Sequence, residues 1–420
     1  MSLQPRPLAP VATGHQAATG VTDYIVDRIE SVDAFLLRWA ALLDAHASPF
    51  HAVSWLRAWY AALGSDDGRQ PVLLGVRRRD TGADVMLLPL TCQRRGLLSI
   101  VEFADCGIVD YISPLLAPDW AGCTAGESEP LTDAARRLWQ AVRQALRDHD
   151  VLLIHKMLGE LLEESPQRLN PLMLVLKTQP CEMFGNQFHV AGDWDAWRYS
   201  LDKRVRKEME RCWRVFTRSD EARFERLTDL AAAQQVFAEL EQQQSKRMHQ
   251  AGVRYVLDEP VFRDFYRQVL NDGLAAGSVV LMALRDGEHI VAALFGVANK
   301  DRFIALRLSI GGDEWKNCSP GRLLCERTAR HLHEQGLRWF DFGIGDYFHK
   351  ETFQVTHIPL HDACAALSWR GVPLTWWWRL RRVLKRQGWL VALSRRFRAC
   401  LRAARSRNSS GENKAAIAKA

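Results

Sequence analysis

The sequence contains no run of eighteen apolar residues, so no membrane-spanning helix is expected. Cysteine is scarce and unpatterned: nine residues, an odd number, without a Cys-x-x-Cys pair or a zinc-type spacing. That argues against a secreted disulfide framework and against a metal site, and it fits a reduced, cytoplasmic compartment. Residues 1–20 are rich in Pro, Ala and Gly and lack a continuous apolar core, which predicts a disordered N-terminus rather than a signal peptide. Acidic residues are missing altogether from 376–407, a segment holding eleven of the 56 lysines and arginines. The rest of the chain has 45 basic against 49 acidic residues, so the net charge of +7 is a property of the tail. Nucleic acid is not an expected partner of the folded body.

What is present is an ordinary globular composition on 420 residues, a length suited to two domains and a tail. Periodicity predicts a strand at 22–28, helices at 31–45 and 51–63, strands near 71–78, 84–91 and 97–103, a helix at 131–148 and the apolar strand Val151–Ile154. A second series begins with a helix at 193–218, a strand at 222–227 and helices near 229–248 and 259–276. Strands at 278–285, 289–298 and 302–310 follow, with a hairpin turn at Asp286-Gly287. A helix at 319–335 and strands at 338–342 and 357–368 complete it. No internal repeat is visible, although a duplicated fold can persist without one.

Residues 319–350 are the most informative stretch. Ser319 suits an N-cap, Pro320 the first helical position, and Gly321 a close approach of ligand to backbone. A helix start of this kind presents N–H groups and the positive end of the dipole to an anion. Arg322 works against that dipole unless an anion is near; the plain alternative is an ordinary helix with Arg322 paired to Glu326. On helix 193–218, Lys203, Lys207, Arg211, Arg214 and Arg218 form a basic face opposite Leu201, Val205, Met209, Cys212 and Phe216. That face either holds an anionic ligand or is simply solvated. Asp341-Phe-Gly343 copies a kinase triplet, but the other kinase motifs are absent.

Ser319-Pro320-Gly321-x-Leu323-Leu324, Gly336, Phe340-Asp341, Gly345 and His349-Lys350 resemble the C-terminal signature of the CelD-like acyltransferases of the GNAT superfamily, and Asp110-Tyr111-x-x-Pro114-Leu115 resembles a stretch of their N-terminal half. The resemblance spans residues 21–368. It implies an α/β (α+β) fold of two GNAT-like domains, as in Fem-type transferases, with mixed, largely antiparallel sheets flanked by helices. It also implies acyl transfer from a coenzyme A thioester, most simply acetyl-CoA, to an amine or hydroxyl of an envelope or exopolysaccharide-related saccharide. One departure concerns the glycine motif that ordinary GNAT proteins carry before the helix. Here the place holds Ser309-Ile-Gly-Gly-Asp-Glu-Trp-Lys-Asn-Cys-Ser-Pro-Gly321, so individual pyrophosphate contacts do not transfer.

The expected domains are an N-terminal GNAT-like domain at 21–175, a C-terminal acyltransferase domain at 176–370 and a basic amphipathic tail at 371–420. Ser319, Gly321 and Arg322 are the expected cofactor contacts; Asp110, Asp346 and Lys350 the expected catalytic groups; Tyr111, Lys207 and Arg211 the expected substrate contacts. Asp341 reads better as a structural aspartate bonded to loop N–H groups. Trp376-Trp377-Trp378 and the arginines beyond suit an anionic membrane surface, which implies peripheral attachment at the inner membrane. Two other classes compete: a non-catalytic GNAT-like adaptor of a polysaccharide-synthesis assembly, and a Fem-type transferase dependent on aminoacyl-tRNA. The oligomeric state is left open.

Overall fold

Two successive runs of strands and helices build one continuous sheet. The computed structural model describes residues 23–43, 47–118, 120, 131–159, 169–190, 192–345 and 352–386. In the first run, β1 (Tyr24–Ile29), β2 (Gln70–Arg78), β3 (Asp84–Arg95) and β4 (Leu98–Phe103) pair antiparallel, with α1 (Val32–Leu42) and α2 (Val53–Ala62) between β1 and β2. The short β5 (Leu115–Leu116) pairs with β3. Helix α3 (Leu131–Ala145) then leads to β6 (Val151–Leu158), which lies parallel to β4. The second run repeats this order. Strand β8 (Ala222–Arg226), helices α7 (Leu230–Gln250) and α8 (Pro260–Ala275), and strands β9 (Val279–Asp286), β10 (His289–Ala298) and β11 (Arg302–Ile310) precede α9 (Pro320–Glu334). Strand β12 (Trp339–Ile344) then lies parallel to β11. The duplication invisible in sequence is plain in topology.

The two runs are stitched by exchanged strands. After β6, α4 (Pro171–Val175) and β7 (Thr178–His189) carry the chain across to pair with β12; after β12, β13 (Thr356–Ala366) crosses back to pair with both β6 and β7. The resulting order is β1-β2-β3-β4-β6-β13-β7-β12-β11-β10-β9-β8. Strand β7 is absent from the expected elements. Its sequence, with Pro180, Gly185 and polar or charged residues at half of its twelve positions, has no clean period-2 signal.

The second-run strands are covered on both faces and so read as continuous apolar runs. Leu281, Ala283, Ala293 and Phe295 point into a core shared with α2, α7 and α8, while Met282, Leu284, Ala292 and Leu294 point into a core under α9. The first core spans both runs: Trp55 of α2 meets Phe265 of α8 edge-on at 4.9 Å, and Ser54 Oγ lies 2.9 Å from Ser278 Oγ. The expected helix at 193–218 is two helices, α5 (Trp194–Ser200) and α6 (Lys203–Phe216). Asp202 ends the first and caps the second, its carboxylate accepting from Arg204 N–H at 2.6 Å. The last described element, α10 (Val372–Arg386), packs on β13. Among the described residues no helix is long and apolar enough to cross a membrane.

Candidate active site

The parallel pair β11–β12 holds together only over Arg302–Ile304 against Trp339–Asp341. Directly beyond, a bulge leaves Leu306 unpaired between Ala305 and Arg307, which face Gly296 and Phe295 of β10. A bulge bends and twists its strand, so β11 swings away from β12 and a fork opens. Gly296 makes this possible, since a side chain there would come within 2.2 Å of Ile304 O. Past the bulge, Gly311 N–H bonds Val291 O at 2.8 Å, and ladder alternation turns the N–H and C=O of Leu308 and Ile310 toward the fork. Leu308 C=O accepts from Gln244 Nε2 at 3.0 Å. Gln244 Oε1 accepts from Tyr255 OH at 2.7 Å and Arg307 Nε at 2.9 Å, so α7 holds the edge straight. No described strand pairs with residues 306–310 on the fork side.

The other arm of the fork is a strand end bent at two glycines, Gly343 at φ 70° and Gly345 at φ 107°. Asn186 Nδ2 donates to both of their carbonyls, at 3.0 and 2.7 Å. Asp110, from the loop after β4, sits against this bend. Its Oδ2 accepts from Ile344 N–H at 3.4 Å and would lie 2.2 Å from a Cβ on Gly343. The same Cβ position is 3.5 Å from Ala305 O, so Asp110, the bend and the bulged strand meet at the mouth of the fork.

Tyr111, expected to touch substrate, is only 1% exposed and donates its hydroxyl to Asp341 Oδ1 at 2.7 Å. It fills the space a side chain on Gly185 would need. Asp341 is fully buried, as a structural aspartate: it also accepts from Gly343 N–H at 2.7 Å and pairs with Arg302 at 3.4 Å. Burial pushes the Tyr111 phenol well up and the Arg302 guanidinium down, the latter opposed by the Asp341 charge.

At the start of α9, Ser319 holds the expected N-cap position and its C=O accepts from Leu323 N–H at 3.0 Å, but it is left-handed at φ 46° and its side chain makes no capping bond. Gly321 is buried, and the position of its missing Cβ is 3.0 Å from Ile310 Cδ1 and 3.3 Å from Leu308 Cδ2. The glycine therefore seats α9 against the free-edge strand. Arg322 pairs not with Glu326 but with Glu208 of α6, at 3.3 Å. The anion that its place in the first turn called for is thus a protein carboxylate. Hydrogen bonds from Arg211, at 2.7 and 2.8 Å, hold Glu208 at a pKa of about 2, with Arg322 adding to them. Arg211 also donates to Asn317 O at 3.0 Å, which places it beside the α9 start; Lys207 is exposed one turn earlier on α6. Asp346 and Lys350 lie outside the described residues.

A cavity of about 780 Å³ opens on the first-run side of the fork and reaches Ile112 and Ile344, the neighbours of Asp110. Its floor includes Lys156, buried and at φ 55°, a backbone conformation costly for a lysine. The Lys156 ammonium donates to Asp105 Oδ1 at 2.9 Å and to Val109 O, and Asp105 Oδ1 also accepts from Val109 N–H at 3.0 Å. Lys156 thereby anchors the loop that carries Asp110. Its own N–H donates to Asp362 Oδ1 at 2.9 Å. Burial resists ionisation of Asp362, but hydrogen bonds from His155 and Lys156 N–H and the charge of Arg382 hold it at about 2. Sequence reasoning missed Gln244, Asn186, Glu208 and Lys156, none of which stands in a motif. Among the described residues, no group of three or more His, Cys, Asp or Glu could hold a metal ion.

Residues 203–351 match the family model described as Acetyltransferase (GNAT) domain. Over most of the chain, the crystal structure of FemX shares the fold at a TM-score of 0.56 and 10% identity, covering 83% of this chain and 98% of that one. A tandem GNAT protein from the clavulanic acid biosynthesis pathway aligns at a TM-score of 0.43 and 11% identity, over 82% of this chain and 98% of its own. The C-terminal domain of a putative lysylphosphatidylglycerol synthetase from Agrobacterium fabrum aligns at 0.48 and 14%, over 82% and 95%. No curated protein matches the sequence. The domain match and the duplicated fold define the class: this is an acyltransferase with a GNAT-type fold.

Proposed function

We propose that the protein transfers an acyl group, most simply acetyl from acetyl-CoA, to an amine or hydroxyl of an envelope or exopolysaccharide-related acceptor. The observation that carries the donor half is the edge of β11 in the fork that no described strand pairs. The pantetheine arm of coenzyme A is a chain of amides, and an unpaired strand edge binds amides as it would another strand. An arm laid along Leu308 and Ile310 brings its diphosphate to the start of α9, where the first-turn N–H groups of Gly321 and Arg322 have no intrahelical partner. Ser319 frames that turn, and Arg211 and Lys207 stand at its rim.

The thioester carbon then lies at the fork mouth beside Asp110. The acceptor enters through the cavity that ends at Ile344. In the reaction the acceptor nitrogen or oxygen bonds the acyl carbon, the carbon–sulfur bond breaks and the thiolate leaves. Asp110 takes the acceptor proton, which the thiolate finally receives. Backbone N–H groups of the fork serve the developing oxyanion. Asp346 and Lys350 follow the bend directly in sequence and are proposed to contact the acceptor. The saccharide class rests on the CelD-like motifs alone.

Calorimetry of the full chain with acetyl-CoA is the test: saturable binding, competed by free coenzyme A, is expected, and no binding at millimolar ligand overturns the reading. In that case the adaptor alternative gains. The FemX-like fold favours aminoacyl-tRNA-dependent transfer as the second reading. It predicts that charged tRNA displaces the donor.

A further inference from the structure

Helix α10 is held down by one face, and among the described residues nothing covers the other. Cys364 Sγ of β13 donates to Thr375 Oγ1 at 3.9 Å, Trp378 packs with Ile100, Val151 and Leu153, and Arg382 pairs with Asp362. On the outward face, at helical spacing, stand Val372, Trp376 and Leu380, with Trp377 beside them and Trp369 just before the helix. Trp369 is 83% exposed, Trp376 70% and Leu380 57%. Arg370 donates to Leu97 O, which brings the tip of the β3–β4 hairpin to the same place. Leu97 there is 88% exposed, so the hairpin tip adds to the apolar face. Exposed apolar surface of this extent and continuity marks an interaction site.

The charge around the face decides what covers it. Arg379 and Arg381 flank the apolar stripe on opposite sides of the helix wheel, and Arg94 and Arg370 are exposed at the hairpin end. No Asp or Glu occurs from 363 to 411. A second copy of the chain would bring arginines against arginines, which disfavours self-association. Tryptophan and leucine on one arc with arginines on its margins fit the boundary of an anionic bilayer, where the rings sit at headgroup depth and the guanidinium groups meet phosphates. We infer that the outward face of α10, together with the Leu97 hairpin tip, is a docking surface for an anionic lipid membrane. Trp378, Arg381 and Arg382 also wall the acceptor cavity, so docking sets that cavity beside the lipid surface.

The experiment is flotation of the full chain with phosphatidylcholine vesicles and with mixed phosphatidylcholine–phosphatidylglycerol vesicles. Binding to the mixed vesicles and little to the neutral ones is expected. Arg379→Gln with Arg381→Gln should weaken it about 30-fold, from about 1 kcal/mol per charge near such a surface. Trp376→Ser with Leu380→Ser should weaken it at least about tenfold through lost apolar burial. Both pairs are exposed or half-buried and outside the fork, and unchanged circular dichroism checks that they fold. Equal binding to both vesicle types overturns the inference. So does loss in the arginine pair without loss in the Trp376–Leu380 pair, since that describes a patch for any polyanion, RNA or acidic protein included. Undiminished binding by both pairs, with loss only on deleting residues 388–420, overturns it as well.

Discussion

Replacing Tyr111 with phenylalanine isolates one bond that joins the two runs of the fold. The phenol donates to Asp341 Oδ1 at 2.7 Å from a position 230 residues away, and both groups are shut off from solvent. A hydrogen bond to a charged group contributes about 1.5–3 kcal/mol, and water has no access to replace it. Asp341 keeps Gly343 N–H and Arg302, so Tyr111→Phe should cost about 2 kcal/mol. Asp341→Ala should cost more, about 3–5 kcal/mol, because Arg302 is left buried beside Trp339 without its counter-charge. The assay is equilibrium urea unfolding followed by circular dichroism, with the slope compared between variants so that a change in midpoint reads as stability. The double variant Tyr111→Phe, Asp341→Asn should show a coupling of about 1 kcal/mol or more. A cost below about 0.5 kcal/mol for Tyr111→Phe, or additivity in the double variant, refutes the reasoning and returns Tyr111 to the list of substrate contacts. Acetyl-CoA affinity should stay unchanged in Tyr111→Phe, since the ring still fills the space over Gly185.

Asp110→Asn should reduce turnover about 100-fold or more while leaving donor affinity intact; a variant turning over at the parent rate would remove Asp110 as the base. Glu208→Gln should release Arg322 and Arg211 toward the α9 start and tighten acetyl-CoA binding severalfold by calorimetry, and unchanged affinity would move the diphosphate elsewhere. The folded pKa of Asp362, about 2, lies below its unfolded value of 3.8, so its stabilisation is complete above that value and is lost as pH falls toward 2. Melting temperature should therefore fall more steeply between those limits in the parent than in Asp362→Asn, and parallel curves would contradict the assignment. Lys156→Met should loosen the Asp110 loop and lower turnover, with little change in donor affinity; a donor affinity that falls alongside turnover would place Lys156 at the cofactor instead.

Most elements were legible because the strands buried on both faces are continuous apolar runs and the helices carry separated faces, as on α6, where Met209, Cys212 and Phe216 are buried and Lys207 and Arg211 exposed. Strand β7 was not, because a strand between two others can be held by ladder bonds and still carry polar side chains; its Asn186 and Gln187 are used on β12 and Arg302. The start of α9 was legible as a place and not as a geometry. Ser319-Pro-Gly321 reads as cap, first turn and ligand approach, whereas Ser319 is left-handed and Gly321 yields its space to Ile310. Glu208 and Arg322 are 114 residues apart, and no local spacing could pair them. The fork depends on a bulge at Leu306, a residue with no turn or bulge signal of its own; only Gly296 on the facing strand carries a trace of it, as a glycine inside an apolar strand.

The exchange of β7 and β13 explains why the fork, the cavity beside it and the outward face of α10 occur together. Because β13 returns to the first run, Asp362 lies where it accepts from Lys156 N–H on one side and from Arg382 of α10 on the other. Lys156 in turn fixes Asp105 and Val109, and the residue after Val109 is Asp110, set against Ile344 at the end of β12. From helix to fork, hydrogen bonds between named groups alternate with short stretches of chain, two of the bonds being buried and three part-buried. Such a chain does not by itself make the two ends communicate, since coupling needs an element with two arrangements. It does fix orientation. With Arg382 committed to Asp362, the helix has one rotation available, and that rotation turns Trp376 and Leu380 outward while Trp378 closes the cavity wall. The proposed docking and the proposed acceptor site require this relation between cavity and surface, and a single buried aspartate, Asp362, sets it.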